Sequence, residues 1–190
     1  MLDRRAVLAL PLIALASSRA RAAEEAWAAL AGGGHAALLR HARTDPGIGD
    51  PPGFRLDNCA TQRNLSPEGR AQAARLGEAF RSRGVPVGRV LSSAWCRCRD
   101  TASGMGLGPV EIAPAALNSF FGGQGEERAA TAALRALLAG LKREGPVAVL
   151  VTHQVNMTAL TGLGPAMGET LVLRLDREGR FPVVGRIPAP

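Results

Sequence analysis

The sequence predicts an α/β sandwich: one mostly parallel sheet with helices on both faces. Two observations carry that expectation. Short apolar runs at 36–39, 89–93 and 146–151 alternate with stretches of helical spacing. The run at 146–151 is apolar without interruption, as a strand covered on both faces must be. At 190 residues the chain is long enough for one core, and it shows neither a repeat nor a linker. A single domain over 23–190 is therefore expected.

The chain opens with Met1-Leu2-Asp3-Arg4-Arg5, an apolar stretch over 6–16 and Ala20-Arg21-Ala22. These are the basic, apolar and small-residue parts of an export signal, so residues 1–22 are read as a signal peptide and the protein as periplasmic or secreted. The arginine pair resembles a twin-arginine signal, and the apolar stretch is too short to span a bilayer stably. After signal removal no stable membrane insertion is expected.

The elements follow in order. Residues 23–31 read as a short amphipathic helix with Trp27 and Leu30 facing inward. The strand at 36–39 is bounded by Gly32-Gly33-Gly34 before it and Pro46-Gly47 after it. A long polar loop occupies 43–65, and a loop of that length in a compact domain is expected to cover substrate. Ser66-Pro67-Glu68 then starts a helix: Ser as N-cap, Pro in the first turn and an acid beside the helix N-terminus. Its core face is Ala73, Leu76, Gly77 and Phe80, and Gly84 stops it. A strand at 89–93 leads into a helix over 94–105, and 108–113 reads as a further strand. A second loop spans 118–125. The helix over 126–143 carries Leu134, Leu137, Leu138 and Leu141 on one face. The apolar strand at 146–151 follows, and 168–176 with 180–186 read as a terminal hairpin.

Composition narrows the function. The net charge is +7, but Arg4, Arg5, Arg19 and Arg21 against Asp3 account for a net three of those charges. The remaining arginines are scattered rather than striped, tyrosine is absent and aromatics make up 4%, so no nucleic-acid partner is expected.

Three strand ends carry reactive side chains. The first is Arg40-His41, followed by Arg43 and Thr44; the second is Ser92-Ser93-Ala94-Trp95-Cys96-Arg97; the third is Thr152-His153-Gln154. In a parallel sheet these ends lie on one edge, where open α/β sheets bind ligands. Arginine offers a planar, permanently charged fork for phosphate, and imidazole serves as nucleophile or proton carrier near neutral pH. A helix beginning at 94 would add N–H groups aimed at an anion.

Arg-His after the first strand, Ser-Ser-x-x-x-Arg-x-x-x-Thr-Ala after the second and Thr-His after the later apolar strand together resemble the histidine phosphatase superfamily. The resemblance runs from about Ala36 to Leu173. It implies a phosphoglycerate-mutase-like three-layer α/β/α sandwich with a mostly parallel central sheet. It also implies a small periplasmic phosphatase, similar in outline to phosphohistidine and envelope-sugar phosphatases. By position, His41 would be the nucleophile, Arg40 and Arg97 the phosphate ligands and His153 the second pocket histidine; Arg43 and Thr44 would touch phosphate or substrate. The substrate would be a phosphorylated small molecule, envelope sugar or phosphoprotein. Neither metal nor cofactor is implied.

The chain departs from the family in two places. Ala42 replaces the usual glycine after the nucleophile. The carboxylates expected near Asn118 and Gln154 are absent, which leaves Asp45, Asp50, Asp57, Glu126, Glu127 and Glu169 as candidate proton donors. Without a donor, the protein would be an impaired binder of phosphorylated ligands. His35, at the opposite end of its strand, and Arg99, two residues beyond Arg97, are expected to lie outside the pocket. An exported chain meets oxidising conditions, so Cys59 is expected to pair with Cys96 or Cys98; three reduced, buried thiols are the alternative.

Overall fold

The computed structural model describes residues 10–120 and 124–190, with side chains described from Ala20 onward. Its elements are α1 (Leu10–Ala31), β1 (His35–Arg40), α2 (Pro67–Ser82), β2 (Val87–Ser92), α3 (Cys96–Met105) and β3 (Val110–Ile112). Then come α4 (Pro114–Leu117), α5 (Gln124–Ala139), β4 (Val147–Thr152), α6 (Gln154–Thr161), β5 (Thr170–Arg174) and β6 (Val183–Ile187).

The sheet order is β3-β2-β4-β1-β5-β6. β1, β2, β3 and β4 run parallel, with Leu39 opposite Val151 and Ser92 also opposite Val151 in the central strands. β5 and β6 add an antiparallel hairpin at the other edge, so the sheet is mixed. Strand alternation divides the core. Ala37, Leu39, Val149 and Val151 face Trp27, Leu30, Leu76 and Phe80 of α1 and α2 and Met105 of α3. Ala36, Leu38, Leu150 and Leu171 face Leu117, Leu134, Leu138 and Leu160 of α4, α5 and α6. Two helical layers thus enclose one sheet, since successive strand residues point to opposite faces.

Local sequence explains the helices that frame the site. The Ser66 hydroxyl accepts the Gly69 N–H at 3.1 Å, as an N-cap should. Gly69 and Gly77 permit close approach: a Cβ at either would stand 1.8 Å from the carbonyl oxygen of Arg43 or Met105. α2 can therefore lie directly against the chain after His41 and against α3.

Several boundaries differ from expectation. α1 is one helix through Ala20-Arg21-Ala22 rather than starting at 23, although among its side chains described from Ala20 onward the buried ones begin at Ala26. Residues 1–9 of the expected signal lie outside the described residues, and no described helix is long and apolar enough to cross a membrane. α3 starts at Cys96 rather than 94. α4 and α6 carry no sequence signal: four and eight residues give too few turns for a readable period. α5 ends at Ala139, before Gly140, yet Leu141 still joins the core. Part of the loop expected at 118–125, residues 121–123, lies outside the described residues.

Candidate active site

The site lies at the carboxyl ends of β1, β2 and β4. Each residue leaving β1 and β2 is fixed to β4: the His41 N–H donates to Thr152 O and the Ser93 N–H to Val151 O, both at 3.0 Å. The Gly168 N–H, from the segment before β5, donates to the His41 carbonyl at 3.0 Å. His41 and His153 are 3% and 4% exposed, and their rings meet edge-on with centroids 5.4 Å apart.

The chemistry of His41 follows from its surroundings. Burial first, and then the charges of Arg97, Arg40 and Arg63, push its pKa down to about 3, despite an opposing hydrogen bond to Ala42. The ring is therefore neutral near pH 7. Its Nδ1 lies 2.9 Å from the Ala42 carbonyl, which can only accept, so Nδ1 carries the hydrogen and Nε2 the lone pair. The Ala42 N–H in turn donates to Thr101 Oγ1 at 3.0 Å. A neutral imidazole with its tautomer set by a backbone oxygen is the form a nucleophile requires.

His153 is fixed in the opposite sense. Ser93 donates its hydroxyl hydrogen to Asn118 Oδ1 at 2.9 Å, so the Ser93 oxygen accepts from His153 Nε2 at 3.0 Å. That leaves the Nδ1 lone pair facing Arg97 Nη2 at 3.5 Å. Burial, then the nearby His41 and the arginines, hold the His153 pKa well below its ordinary value. Asn118, at a position where the family resemblance implies a carboxylate, is thus a structural acceptor; its Oδ1 also takes the Ala94 N–H at 2.8 Å.

Three guanidinium groups surround the histidines. Arg97 is 4% exposed and lies over the Trp95 ring, its Cζ 4.5 Å from the centroid. Arg40 is half-buried and donates to Pro165 O at 2.9 Å. The third, Arg63, comes from the long loop and was missed by sequence reading, because a lone arginine in an irregular segment carries no periodic or motif signal. Burial and then mutual repulsion lower the pKa of Arg40 and of Arg63, the latter opposed by Asp50. The Nε atoms of Arg40, Arg63 and Arg97 are all buried without a hydrogen-bond partner. Unpaired buried donors are costly, and three of them beside one another make a strong anion site.

The other expectations fall out as follows. Arg43 is exposed and Thr44 half-buried; both line a shallow groove of about 570 Å³ beside Arg40, together with Ser66, Glu68 and Met167. His35 bonds to the Gly33 carbonyl and Arg99 is exposed, so both lie outside the pocket. The start of α3 is not the free anion cradle expected, since the N–H groups of Ala94, Trp95 and Cys96 are taken by Asn118, Ser93 and Gln62. Cys59 is bonded to Cys96, while Cys98 is reduced and buried.

Among the carboxylates, Asp50 reaches the pocket. Both its oxygens accept from Arg97 Nη1, at 2.8 and 3.1 Å. Glu169 is taken up by Arg186 and the Ala166 N–H, and Asp57 by Arg55. Asp45, Glu126 and Glu127 are exposed. Among the described residues no three His, Cys, Asp or Glu side chains gather closely enough to hold a metal ion.

A mixed α/β/α sandwich with two histidines and two of its three arginines at one sheet edge is the arrangement that a resemblance to the histidine phosphatase superfamily implies, and a match to that family covers just under half of the chain. Residues 36–124 match the model of branch 1 of that superfamily. In fold the chain is similar to the protein histidine phosphatase SixA complexed with tungstate (TM-score 0.61, 16% identity, covering 81% of this chain and 96% of the other). It is also similar to a phosphoglycerate mutase from Thermus thermophilus (TM-score 0.57, 22% identity, 82% and 99%). A third is a mycobacterial glucosyl-3-phosphoglycerate phosphatase in complex with VO3 (TM-score 0.54, 22% identity, 73% and 92%). No curated protein matches the chain.

Proposed function

We propose that the protein is an exported phosphatase that hydrolyses a phosphate ester or phosphoramidate through a phosphohistidine on His41, without metal. The observation that carries this reading is the pairing of a neutral His41, its Nε2 lone pair free, with three unpartnered buried Nε–H donors. Nε2 attacks phosphorus in line; the P–N bond forms as the bond to the leaving group breaks. Arg40, Arg63 and Arg97 meet the charge spread over the equatorial oxygens, the role a metal ion fills elsewhere. Water then attacks the phosphohistidine, releasing phosphate and restoring the imidazole. Two of the fold relatives carry bound tungstate or VO3, tetrahedral or related oxyanions that fit such a cluster.

The leaving group must be protonated, and both Asn118 and Gln154 lack a carboxylate. A substrate whose leaving group departs readily, such as a phosphoramidate, suits this site best. An envelope sugar phosphate, a phosphoprotein or another small phosphate ester stays within the class. The missing donor also supports a second reading, a pocket that binds phosphorylated ligands without turning them over. Export rests on residues 1–22. The test is a panel of phosphate esters and phosphohistidine offered to protein pre-treated with a chelator. Turnover of at least one substrate, lost in His41→Ala, supports the enzyme; tight binding of phosphorylated ligands with no turnover supports the binder.

A further inference from the structure

Within the phosphoryl-transfer reading above, on which this inference rests, one contact in the pocket still calls for explanation: a buried carboxylate beside the place where an anion must bind. The side chains of Asp50 and Arg97 are 1% and 5% exposed. Removing both charges from water is expensive, and a carboxylate also weakens the attraction of the pocket for phosphate. A residue placed there on both counts needs a compensating role.

The geometry supplies one. Asp50 occupies a single terminal nitrogen of Arg97, accepting from Nη1 through both oxygens. Its Oδ1 also accepts the Arg63 N–H at 2.9 Å, which ties the carboxylate to the backbone beside the third arginine. The Trp95 ring supports one face of the guanidinium. With Nη1 anchored and one face covered, the edge left over is Nε and Nη2. Nε has no partner, and Nη2 reaches His153 Nδ1 at 3.5 Å. That edge carries two parallel N–H bonds, the arrangement that grips two oxygens of one tetrahedral anion.

We infer that Asp50 is a positioning residue: by anchoring Nη1 it holds Arg97 so that the Nε–Nη2 edge faces the phosphoryl group on His41. Two other roles fit the contacts less well. A proton donor would need a hydrogen directed into the pocket, whereas both Asp50 oxygens accept from Arg97. A plug displaced by substrate would compete for the phosphate-binding edge, whereas Asp50 sits on the opposite terminal nitrogen and leaves that edge open. Orientation matters most when charge and geometry are those of the transition state, so the effect of Asp50 falls there and not on simple anion attraction.

The experiment compares two oxyanions by equilibrium binding: inorganic phosphate, a tetrahedral ground-state ligand, and orthovanadate, which adopts the in-line geometry on a histidine nitrogen. Asp50→Asn keeps the volume and the acceptor for the Arg63 N–H while removing the charge and one Arg97 bond. Its orthovanadate affinity is expected to fall tenfold or more, with phosphate affinity changed less than threefold. In an Arg97→Ala background the same substitution is expected to change neither by more than twofold, because Asp50 acts through Arg97. Asp50→Glu, which keeps the charge, is expected to recover part of the orthovanadate affinity, and it serves as the test should the Asn variant melt below the assay temperature. Unchanged or tighter orthovanadate binding by Asp50→Asn overturns the inference, as does a full loss persisting without Arg97. A wild-type protein that binds orthovanadate in this pattern yet hydrolyses nothing overturns the proposed function and leaves the role of Asp50 standing.

Discussion

His41 and His153 stand on the ends of β1 and β4, whereas Asp50 and Arg63 come from the irregular segment 43–65, and the two halves of the pocket are held by different forces. The histidine half is an extension of the sheet. Its backbone continues the β1–β4 and β2–β4 ladders, and its strands are buried on both faces. The loop half has no sheet behind it. It is closed by a Thr44–Leu65 bridge, pinned by the Cys59–Cys96 disulfide, and tied by Gln62 to the Cys96 N–H. Phe54 adds an aromatic contact with Trp95, the ring centroids 4.6 Å apart. Labour is divided accordingly: the sheet places His41 and His153, and the strapped loop brings Arg63 and the Asp50 carboxylate that bonds Arg97.

The sharpest way to test that division is to remove one cation from each half. Arg97→Ala is expected to lower kcat/KM by about 100- to 1000-fold, the usual cost of losing a charged donor at a developing oxyanion. Arg63→Ala, more exposed and carried on the loop, is expected to cost about tenfold in the same assay on the same substrate. Equal losses would erase the distinction.

Breaking the strap isolates the loop half. Cys59→Ser opens a disulfide that spans 37 residues in sequence, which is expected to cost about 3–4 kcal/mol of stability. Hydrogen exchange is expected to quicken over 43–65 while the amides of β1 and β4 stay protected, and kcat/KM to fall severalfold. Uniform quickening across the sheet would show that the two halves are one cooperative unit.

Mild acid probes the histidine half, since the loop carries no histidine. The folded-state pKa of His41 is depressed to about 3 by burial, and that of His153 is also far below its ordinary value of 6.5. Below about pH 6.5 the unfolded chain takes up protons that the native protein refuses, so stability falls as pH falls toward 3. Each histidine contributes a slope of about 1.4 kcal/mol per pH unit within that window. Denaturant titrations between pH 4 and 7 are expected to show a shallower slope, by one proton, for His41→Gln. An unchanged slope would mean that His41 is charged in the folded protein.

Legibility in the sequence divides along the same line. The strands and the edge residues Arg40, His41, Arg97 and His153 were readable because period, chain order and strand-end position are local signals. Ser66-Pro67 announced α2 for the same reason. Arg63 carries no signal and Asp50 is only one of six candidate proton donors, because their positions depend on how a long loop folds back over α3, and that path is set by a disulfide and by side-chain bonds to the backbone. The anion cradle expected at 94 failed on similar grounds: Gln62, Ser93 and Asn118, two of them distant in sequence, had already taken the N–H groups.

The phosphohistidine on His41 is tested by mixing the protein with a radiolabelled phosphorylated substrate, quenching within the first turnover and mapping any acid-labile, base-stable label. The expected result is a phosphoramidate on His41, formed and lost at rates compatible with turnover, and absent from His41→Ala. Label on another residue, or normal hydrolysis by His41→Ala, would contradict it.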